Sequence, residues 1–284
     1  MGAHRSGPDA RAGLSVAQLV VAALAEDLGE RGDVTSELLL PKDAQASAQL
    51  RSRAAGVFAG REPAQETADQ LGVNAQWHLN DGANLSPGRV VAEFSGPARS
   101  VLTAERTILN FVCHLSGVAT LSAAFVEAAA PAAILDTRKT TPGWRALEKA
   151  AVASGGAMNH RIGLYDRVLV KDNHLALAGA SLAESVVRAR QKYPDLLVEV
   201  EADDLHGVQA GLDADADWIL LDNMTLGELR DSVALVDGGA KLEASGNMSL
   251  DRVSEVAATG VDAISVGALT HSAPSLDLGF DIDG

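Results

Sequence analysis

Cysteine, aromatic residues and long apolar runs are all scarce in this 284-residue chain. Its single cysteine, Cys113, cannot form an internal disulfide, and the surrounding FVCHLSG predicts a buried thiol rather than a nucleophile. No run of about 18 uninterrupted apolar residues occurs, so we expect no membrane-spanning helix and no membrane partner. The polar N-terminus, MGAHRSGPDARAG, is unlike a signal peptide and predicts a disordered arm over residues 1–13. We therefore expect a cytoplasmic protein.

Basic residues are also few, with 23 Lys and Arg against 38 Asp and Glu and a net charge of −15. Such an acidic chain is a poor nucleic-acid binder, because phosphate backbones select basic surfaces. The charges are nevertheless unevenly spread. Residues 136–171 hold seven basic and three acidic side chains, whereas residues 193–229 hold ten acidic side chains and no Lys or Arg. This separation is consistent with binding an anion together with a metal ion, or simply with solvated helix faces.

The second half of the chain alternates short β-rich runs with amphipathic stretches. Each run ends in polar residues, and the six runs are AAILDTRK (132–139), VLVKDNH (168–174), LLVEVEA (196–202), WILLDN (218–223), KLEASGN (241–247) and AISVGALTH (263–271). Strands that alternate with helices predict βαβ units and a parallel sheet. Six such units favour a β/α barrel, either complete or incomplete. A Rossmann sheet is disfavoured because no Gly-x-Gly-x-x-Gly follows any of the runs.

The first hundred residues show a different pattern. A helix is predicted over 15–28 with Ser15 as its cap, and a second helix over 62–72. Alternating or β-rich runs at 44–54, 76–80 and 90–96 predict strands. This region is therefore predicted to be a small α+β domain with an antiparallel sheet, and the long amphipathic stretch 104–130 leads from it into the barrel.

Polar residues cluster where the barrel strands are predicted to end, at the mouth where the loops of β/α barrels carry chemistry. The strand ends and the loop before the second run contribute Arg138, Lys139, Asn159, His160, Arg161, Lys171, Glu201, Asp222, Ser245, Gly246 and Gly267. Arg and Lys bind carboxylates and phosphates, and Glu201 and Asp222 are hard oxygen ligands suited to Mg²⁺. The SGN and VGA turns (245–247 and 266–268) fit a phosphate cradle.

Simpler explanations remain open for several of these residues. Asp222 could only cap the next helix, and the SGN and VGA segments could be ordinary βα turns. Glu199 and Glu201 alternate along one strand and therefore point the same way, towards the barrel interior or its mouth. A carboxylate in a barrel interior needs a metal or a cationic partner, so we expect one for this pair.

The segment DTRKTTPGWRALEKAAVASGGAMNHRIGLYDRVLVKDNH (136–174) resembles the signature block of the quinolinate phosphoribosyltransferase family. Further blocks resemble that family in order, from about residue 15 to the C-terminus: EDLGERGDVTS, AERTILNFVCHLSGVAT, VEVEA, ILLDNM, LEASGNMS and GVDAISVGALTHSAPSLDLG. The resemblance implies an α/β fold with an N-terminal α/β sandwich (14–112), an incomplete seven-stranded β/α barrel (113–272) and a C-terminal segment (273–284) that returns to the first domain.

The resemblance also implies an activity and its residues. Quinolinate and 5-phosphoribosyl 1-diphosphate would give nicotinate mononucleotide, diphosphate and CO₂, with Mg²⁺, in de novo NAD synthesis. It implies a homodimer with shared active sites, or a hexamer. By similarity, quinolinate would contact Thr137, Arg138, Lys139, His160, Arg161 and Lys171, with Arg106 from a partner chain. Phosphoribosyl diphosphate would meet Lys139, Lys171, Glu201, Asp222, Ser245, Gly246, Asn247, Val266, Gly267, Ala268 and His271. The catalytic residues would be Lys139, Lys171, Glu201 and Asp222, and the last two would hold Mg²⁺.

Three other functions compete with this one. A homologue encoded with molybdate transporters has the same fold but a different role, and the complete Arg, Lys and His set argues against it. A non-catalytic phosphate or nucleotide sensor would be favoured by the loss of a strand-end charge, which is not seen. A barrel aldolase with Lys139 or Lys171 as a Schiff base would leave the neighbouring arginines unexplained.

Overall fold

The computed structural model describes residues 13–283, and all but Gly13 of the predicted N-terminal arm lies outside this range. The described chain combines an antiparallel sheet domain with a barrel-like parallel sheet, as the α/β prediction requires. Its early helices are α1 (Val16–Leu28), α2 (Val34–Leu39) and α3 (Arg61–Gln70). The Ser15 hydroxyl accepts a hydrogen bond from the amide of Gln18, whose side chain binds back to Ser15, so the predicted cap of α1 is confirmed.

The N-terminal domain is built on a four-stranded antiparallel sheet in the order β12-β1-β5-β3. Its strands are β1 (Gln45–Ser52), β3 (Asn74–Trp77), β5 (Val90–Pro97) and β12 (Leu278–Asp283). A separate ribbon pairs β2 (Gly56–Val57) with β4 (Asn84–Leu85). The strands predicted at 44–54 and 90–96 are present, whereas the one predicted at 76–80 begins two residues earlier and ends at Trp77. Because β12 pairs with β1, the last strand of the chain belongs to the sheet of the first domain.

A 32-residue helix, α4 (Ala98–Ala129), joins the two halves. It is long and apolar enough to cross a membrane, but 61% of its most apolar window is buried in the protein. Its apolar side chains contribute to both hydrophobic cores. Ile108 and Val112 pack with the N-terminal sheet, and Phe111 and Leu115 pack with the barrel core. The helix therefore serves as the shared core element that fixes the two halves to each other.

The parallel sheet has the order β6-β11-β10-β9-β8-β7. Its strands are β6 (Ala133–Leu135), β7 (Val168–Val170), β8 (Val198–Ala202), β9 (Trp218–Asp222), β10 (Lys241–Ser245) and β11 (Ala263–Ser265). All six predicted β runs form strands. At the position of a seventh strand, Met158 makes a single parallel bridge to Leu135. The described barrel thus consists of six strands and one isolated bridge instead of seven complete strands.

Helices follow the barrel strands and cover the sheet. They are α5 (Arg145–Ser154), α6 (Asp172–Ala178), α7 (Leu182–Lys192), α8 (Leu205–Asp213), α9 (Leu226–Val236), α10 (Leu250–Ala257) and α11 (Ala268–His271). Capping boxes start α7 at Ser181 and α9 at Thr225, so local sequence fixes where these helices begin. The carboxyl ends of the parallel strands consequently meet at one mouth, where their loops converge.

Candidate active site

A cavity of about 290 Å³ opens at the carboxyl ends of the barrel strands. It is lined by nine of the predicted site residues, which are Thr137, Arg138, Lys139, His160, Arg161, Lys171, Glu201, Asp222 and Ser245. Asp136, Leu169, Leu220, Glu243 and Ser265 complete the lining. A larger groove of about 760 Å³ lies beside α1, but it contains neither the strand-end cations nor the acidic pair. The convergence of charged groups identifies the smaller cavity as the candidate active site.

Cationic side chains occupy one side of this cavity. Burial and the nearby charge of Arg138 lower the pKa of Arg161, so two like charges are held close together. The Nε of Arg138 is buried and has no hydrogen-bond partner within residues 13–283. The amide of Lys139 donates to the Thr137 hydroxyl at 3.0 Å, which shapes the turn after β6. A cluster of this kind is suited to an anion that carries more than one negative charge.

Acidic side chains occupy the neighbouring strand ends. Glu201, on β8, forms an ion pair with Lys171, which follows β7. Asp222 ends β9, and one of its oxygens accepts a hydrogen bond from the Asn223 side chain at 2.8 Å. Each carboxylate uses one oxygen in these contacts, and the other makes no hydrogen bond within residues 13–283. The expected cationic partner of Glu201 is therefore Lys171.

The turn after β10 contains two consecutive residues with positive φ. Gly246 has φ of +104°, and Asn247 has φ of +45° in the left-handed region that Asn tolerates. A Cβ on Gly246 would lie 2.2 Å from the Asn223 side-chain oxygen, so the turn has no room for a larger residue. The close packing holds this turn against the end of β9.

The second predicted cradle, Val266 to Ala268, lies between β11 and α11. The amide of Val266 donates to the carbonyl of Leu135 at 2.9 Å. A Cβ on Gly267 would approach the Lys139 side chain to 3.0 Å and the His271 ring to 3.1 Å. Of the two predicted cradles and His271, only Ser245 lines the 290 Å³ cavity, and Gly267 lies next to Lys139, which lines it too.

Arg106 is separate from the cavity in this chain. It lies on α4 with its side chain 77% exposed, 3.6 Å from the carboxylate of Glu105. The side chain does not line the cavity of its own chain, and its exposure would allow it to reach the site of a partner chain. Its predicted role at quinolinate therefore stays a prediction.

A buried ion pair beneath the cationic side was not identified from the sequence. Asp136, which is fully buried, pairs with the ammonium of Lys149, which is 2% exposed. Burial raises the pKa of Asp136 and lowers that of Lys149, as desolvation of charged groups requires. Asp136 also accepts from the side chain of Asn159 at 2.8 Å and from the amide of His160 at 2.8 Å. The pair therefore anchors the loop that carries His160 and Arg161.

His160 lines the cavity but is only 8% exposed. Its Nε2 lies 3.1 Å from a carboxylate oxygen of Glu199 and 3.2 Å from one of Glu243. Burial by itself would lower the pKa of His160, but the hydrogen bonds to these two carboxylates outweigh it and raise the pKa to about 9. Arg167 also binds Glu199, at 3.1 Å. The expected cationic partners of Glu199 are thus His160 and Arg167. Glu243 was missed because its approach to His160 exists only in the closed barrel.

The environment of Cys113 agrees with its predicted structural role. The side chain is partly buried, and its Sγ lies 3.8 Å from the carbonyl of Leu278. Burial raises the pKa of the thiol, which disfavours the nucleophilic thiolate.

Comparisons with known proteins cover almost the whole chain. The family models for the N-terminal and C-terminal domains of quinolinate phosphoribosyl transferase match residues 33–116 and 118–281. The chain is 42% identical to a nicotinate-nucleotide pyrophosphorylase (carboxylating) from Mycobacterium leprae, over 92% of this chain and 94% of that protein. It is 40% identical to a probable enzyme of the same name from Bacillus subtilis, over 90% of each chain.

A solved structure gives the same result for the fold. The nicotinate-nucleotide pyrophosphorylase from Francisella tularensis superposes with a TM-score of 0.89 at 37% identity. The match covers 94% of this chain and 96% of the other. Both domains and their arrangement are therefore shared.

Proposed function

The chain belongs to the quinolinate phosphoribosyltransferase family, and from that premise we propose that the 290 Å³ cavity is its active site. The reaction is decarboxylating phosphoribosyl transfer in de novo NAD biosynthesis. Quinolinate and 5-phosphoribosyl 1-diphosphate give nicotinate mononucleotide, diphosphate and CO₂. The observation that carries the assignment of the cavity is its cationic side, because quinolinate has two adjacent carboxylates.

In this proposal the quinolinate carboxylates bind Arg138, Lys139, Arg161 and Lys171, which all line the cavity. Thr137 shapes the same strip, and His160 lies at its base. Charge-assisted hydrogen bonds orient the ring so that its nitrogen faces the ribose carbon that is attacked. The negative net charge of the chain does not oppose this binding, because the local field of the cationic side governs the encounter.

The nitrogen of quinolinate attacks the anomeric carbon of the ribose as the bond to diphosphate breaks. Positive charge develops on the ribose, where the carboxylates of Glu201 and Asp222 stabilise it. Lys139 and Lys171 neutralise the departing diphosphate. After the new bond forms, the C2–carboxylate bond breaks and CO₂ departs; the electron pair stays on C2, stabilised by the adjacent positively charged ring nitrogen, and C2 then takes a proton. No covalent enzyme intermediate is needed.

Mg²⁺ is the proposed cofactor, and the donor set suits it. Glu201 and Asp222 offer oxygen ligands from adjacent strands, and each keeps one oxygen free of the hydrogen bonds made among residues 13–283. Two carboxylates completed by water or diphosphate oxygens are typical Mg²⁺ ligands. When bound, Mg²⁺ would supply positive charge to the diphosphate.

The 5-phosphate of the ribose is proposed to bind at the rim formed by the two glycine-containing turns. Ser245, Gly246 and Asn247 form one turn, and Val266, Gly267, Ala268 and His271 form the other. Backbone amides in such turns are well suited to phosphate, and in barrel enzymes the phosphate site often follows the late strands.

We further propose a cytoplasmic homodimer, which could assemble into a hexamer, with Arg106 of one subunit completing the site of its partner. The exposure of Arg106 supports this arrangement. Mixing Arg106→Ala and Lys171→Ala subunits, each inactive alone, should restore part of the activity. Absence of complementation, with subunit exchange demonstrated by mass spectrometry, would count against the shared site.

The function is tested by an absorbance assay for nicotinate mononucleotide. The purified protein is mixed with quinolinate, 5-phosphoribosyl 1-diphosphate and Mg²⁺, and nicotinate replaces quinolinate as the control substrate. Product from quinolinate alone is expected. Product from neither, with phosphoribosyl diphosphate still bound, would keep the phosphate site and overturn the choice of acceptor.

A further inference from the structure

Directly beneath the candidate active site, the barrel interior is charged where such interiors usually hold branched apolar residues. The interior cluster consists of Glu199, Glu243, Arg167 and His160. Glu199 is fully buried and Glu243 is 1% exposed. Burying carboxylates is costly unless cations and hydrogen bonds compensate for lost hydration. Because burying these charged groups has a high desolvation cost, and because they lie beneath a substrate cavity, we expect them to have a function that apolar side chains could not provide.

The ring of His160 contacts the other members of the interior cluster, and its main chain binds the buried pair of Asp136 and Lys149. The amide of His160 donates to Asp136 at 2.8 Å, and its carbonyl accepts from Lys149 at 3.0 Å. Its Nδ1 lies 2.8 Å from the amide of Arg161, which can only donate. In the neutral imidazole the ring proton therefore lies on Nε2, which faces the two carboxylates. Every polar atom of His160 is thus engaged inside the protein.

The two carboxylates contact Nε2 unequally. One oxygen of Glu199 lies 3.1 Å from His160 Nε2 and 3.1 Å from the guanidinium of Arg167. Glu243 approaches Nε2 to 3.2 Å, but that same oxygen receives no well-directed hydrogen bond in the described part of the chain. Burial and the charge of Glu199 raise the pKa of Glu243, whereas hydrogen bonds from His160 keep the pKa of Glu199 low despite its burial. Glu199 also pairs with Arg167, a cation that Glu243 does not contact among the described residues, so Glu199 is the charged member of the pair.

The residue after His160 needs such support. Arg161 shares the cavity with Arg138, and burial together with the like charge of Arg138 lowers the pKa of Arg161. The charge of Glu199 opposes this effect and favours the charged form of Arg161. Two guanidinium groups that repel each other stay close only if their main chains are fixed. Pre-fixed cations bind a dicarboxylate without a reorganisation cost.

We propose that Glu199 and Glu243 are positioning residues for the dicarboxylate subsite, which hold His160 from below and thereby fix Arg161 at the substrate. This inference rests on the proposed function of the cavity. Glu199 supplies the charged anchor, and Glu243 acts as a neutral hydrogen-bonding partner. The two residues act on the acceptor substrate and leave the binding of phosphoribosyl diphosphate nearly unchanged.

The test compares Glu199→Gln with Glu243→Gln in the full-length enzyme, measuring kcat and both KM values. Glu199→Gln removes the charge and is expected to raise the KM for quinolinate about tenfold or more, because small displacements of binding groups are costly. Its KM for phosphoribosyl diphosphate should stay within about twofold of the wild-type value. Glu243→Gln retains a neutral hydrogen-bonding group and should change the quinolinate KM by less than about threefold.

Asp217→Asn serves as the matched control. Asp217 also binds a cation, Arg190, and accepts from the amide of Val198 on the strand of Glu199, but it lies at the opposite end of the barrel. This variant should leave both KM values unchanged. Binding of phthalate, which has two adjacent carboxylates and no ring nitrogen, is measured alongside and should weaken only in Glu199→Gln. The phthalate measurement also tests the dicarboxylate subsite if the Glu199→Gln enzyme folds but is too slow for its KM values to be measured.

Several outcomes would overturn the inference. One is a folded Glu199→Gln enzyme with normal quinolinate KM and normal phthalate binding. Another is an equal rise of both KM values, which would indicate general distortion. A Glu243→Gln enzyme as impaired as Glu199→Gln would refute the unequal roles. A wild-type enzyme that makes no nicotinate mononucleotide would instead refute the proposed function, so the two failures are distinguishable.

Discussion

Two lysine–carboxylate pairs lie at opposite ends of the barrel and differ in what else they bind. At the amino ends of the strands, Lys241 pairs with Asp262 at 2.6 Å, and the second oxygen of Asp262 accepts from the amide of Leu242 at 2.9 Å. At the carboxyl ends, Lys171 pairs with Glu201 beside the cavity, and no backbone amide in the described chain binds that carboxylate. The pair at the amino ends, here called the lower pair, also satisfies a backbone amide at the end of a strand. The pair at the carboxyl ends, here called the upper pair, binds no backbone group within residues 13–283 and stays available to a ligand.

The largest effect on activity is expected from substitutions at the carboxyl ends of the strands. Lys171→Ala or Arg138→Ala should reduce kcat/KM by about a hundredfold to a thousandfold, because each removes a cation that contacts charged substrate. Thermal unfolding should change little, since neither side chain supports a backbone group of another strand. Near-normal turnover in either folded variant would contradict the assignment of these residues.

The next effect tests the buried ion pair of Asp136 and Lys149 at the carboxyl end of β6. Lys149→Met should destabilise the fold by about 3–5 kcal/mol, because it leaves the carboxylate of Asp136 buried without its cation. Urea unfolding measures the loss. The double variant Asp136→Asn/Lys149→Met provides the control and should lose less than the sum of the single changes. A loss below about 1 kcal/mol in Lys149→Met would show that Asp136 is satisfied without the lysine.

The comparison also shows what the sequence could predict. The β runs, helix caps and barrel class follow from local periodicity, and nine predicted site residues meet in one cavity because parallel strands end at one edge. Local patterns could also place Asn247 in a left-handed turn. These features depend on residues close in sequence or on the general geometry of the barrel.

The buried contacts could not be predicted in the same way. In the sequence, Lys149 is one of several basic residues in an amphipathic stretch, a pattern that predicts a solvent-exposed side chain. In the structure its ammonium is buried and pairs with Asp136 at the end of β6. Glu243 lies in an apolar strand and meets His160, 83 residues earlier, only when the barrel closes. The seventh strand that the resemblance implies has no β run of its own in the sequence, and the structure has only one bridge there, at Met158. Sequence spacing alone carries no information on such distant pairs.

Glu148 resembles Asp262 of the lower pair, because it too accepts a hydrogen bond from a backbone amide. Glu148 is buried and accepts from His114 at 2.9 Å and from both the amide and the hydroxyl of Thr141. Although burial alone would raise its pKa, these hydrogen bonds lower it. Glu148→Gln should therefore cost about 1–3 kcal/mol at pH 7, measured by urea unfolding.

The pH dependence of this loss gives the check. Because the folded pKa of Glu148 lies below its unfolded value of about 4.3, the stabilisation is present above that pH. It is lost as the pH falls through the folded pKa, so the wild-type protein and Glu148→Gln should converge in acid. Glu127→Gln, at an exposed position, should show no such convergence. A constant difference across the acid range would mean that the charge of Glu148 does not stabilise the fold.

The smallest effect is expected at the lower pair. Lys241→Ala should cost less than about 1 kcal/mol, because its side chain is 61% exposed and its ion pair is solvated. Asp262 keeps its hydrogen bond to the amide of Leu242 in this variant, so the strand end remains satisfied. Activity should equal that of the wild type, in contrast to Lys171→Ala. If Lys241→Ala impaired kcat/KM as strongly, the two ends of the barrel would not be functionally distinct, since the same residue type would matter equally at both.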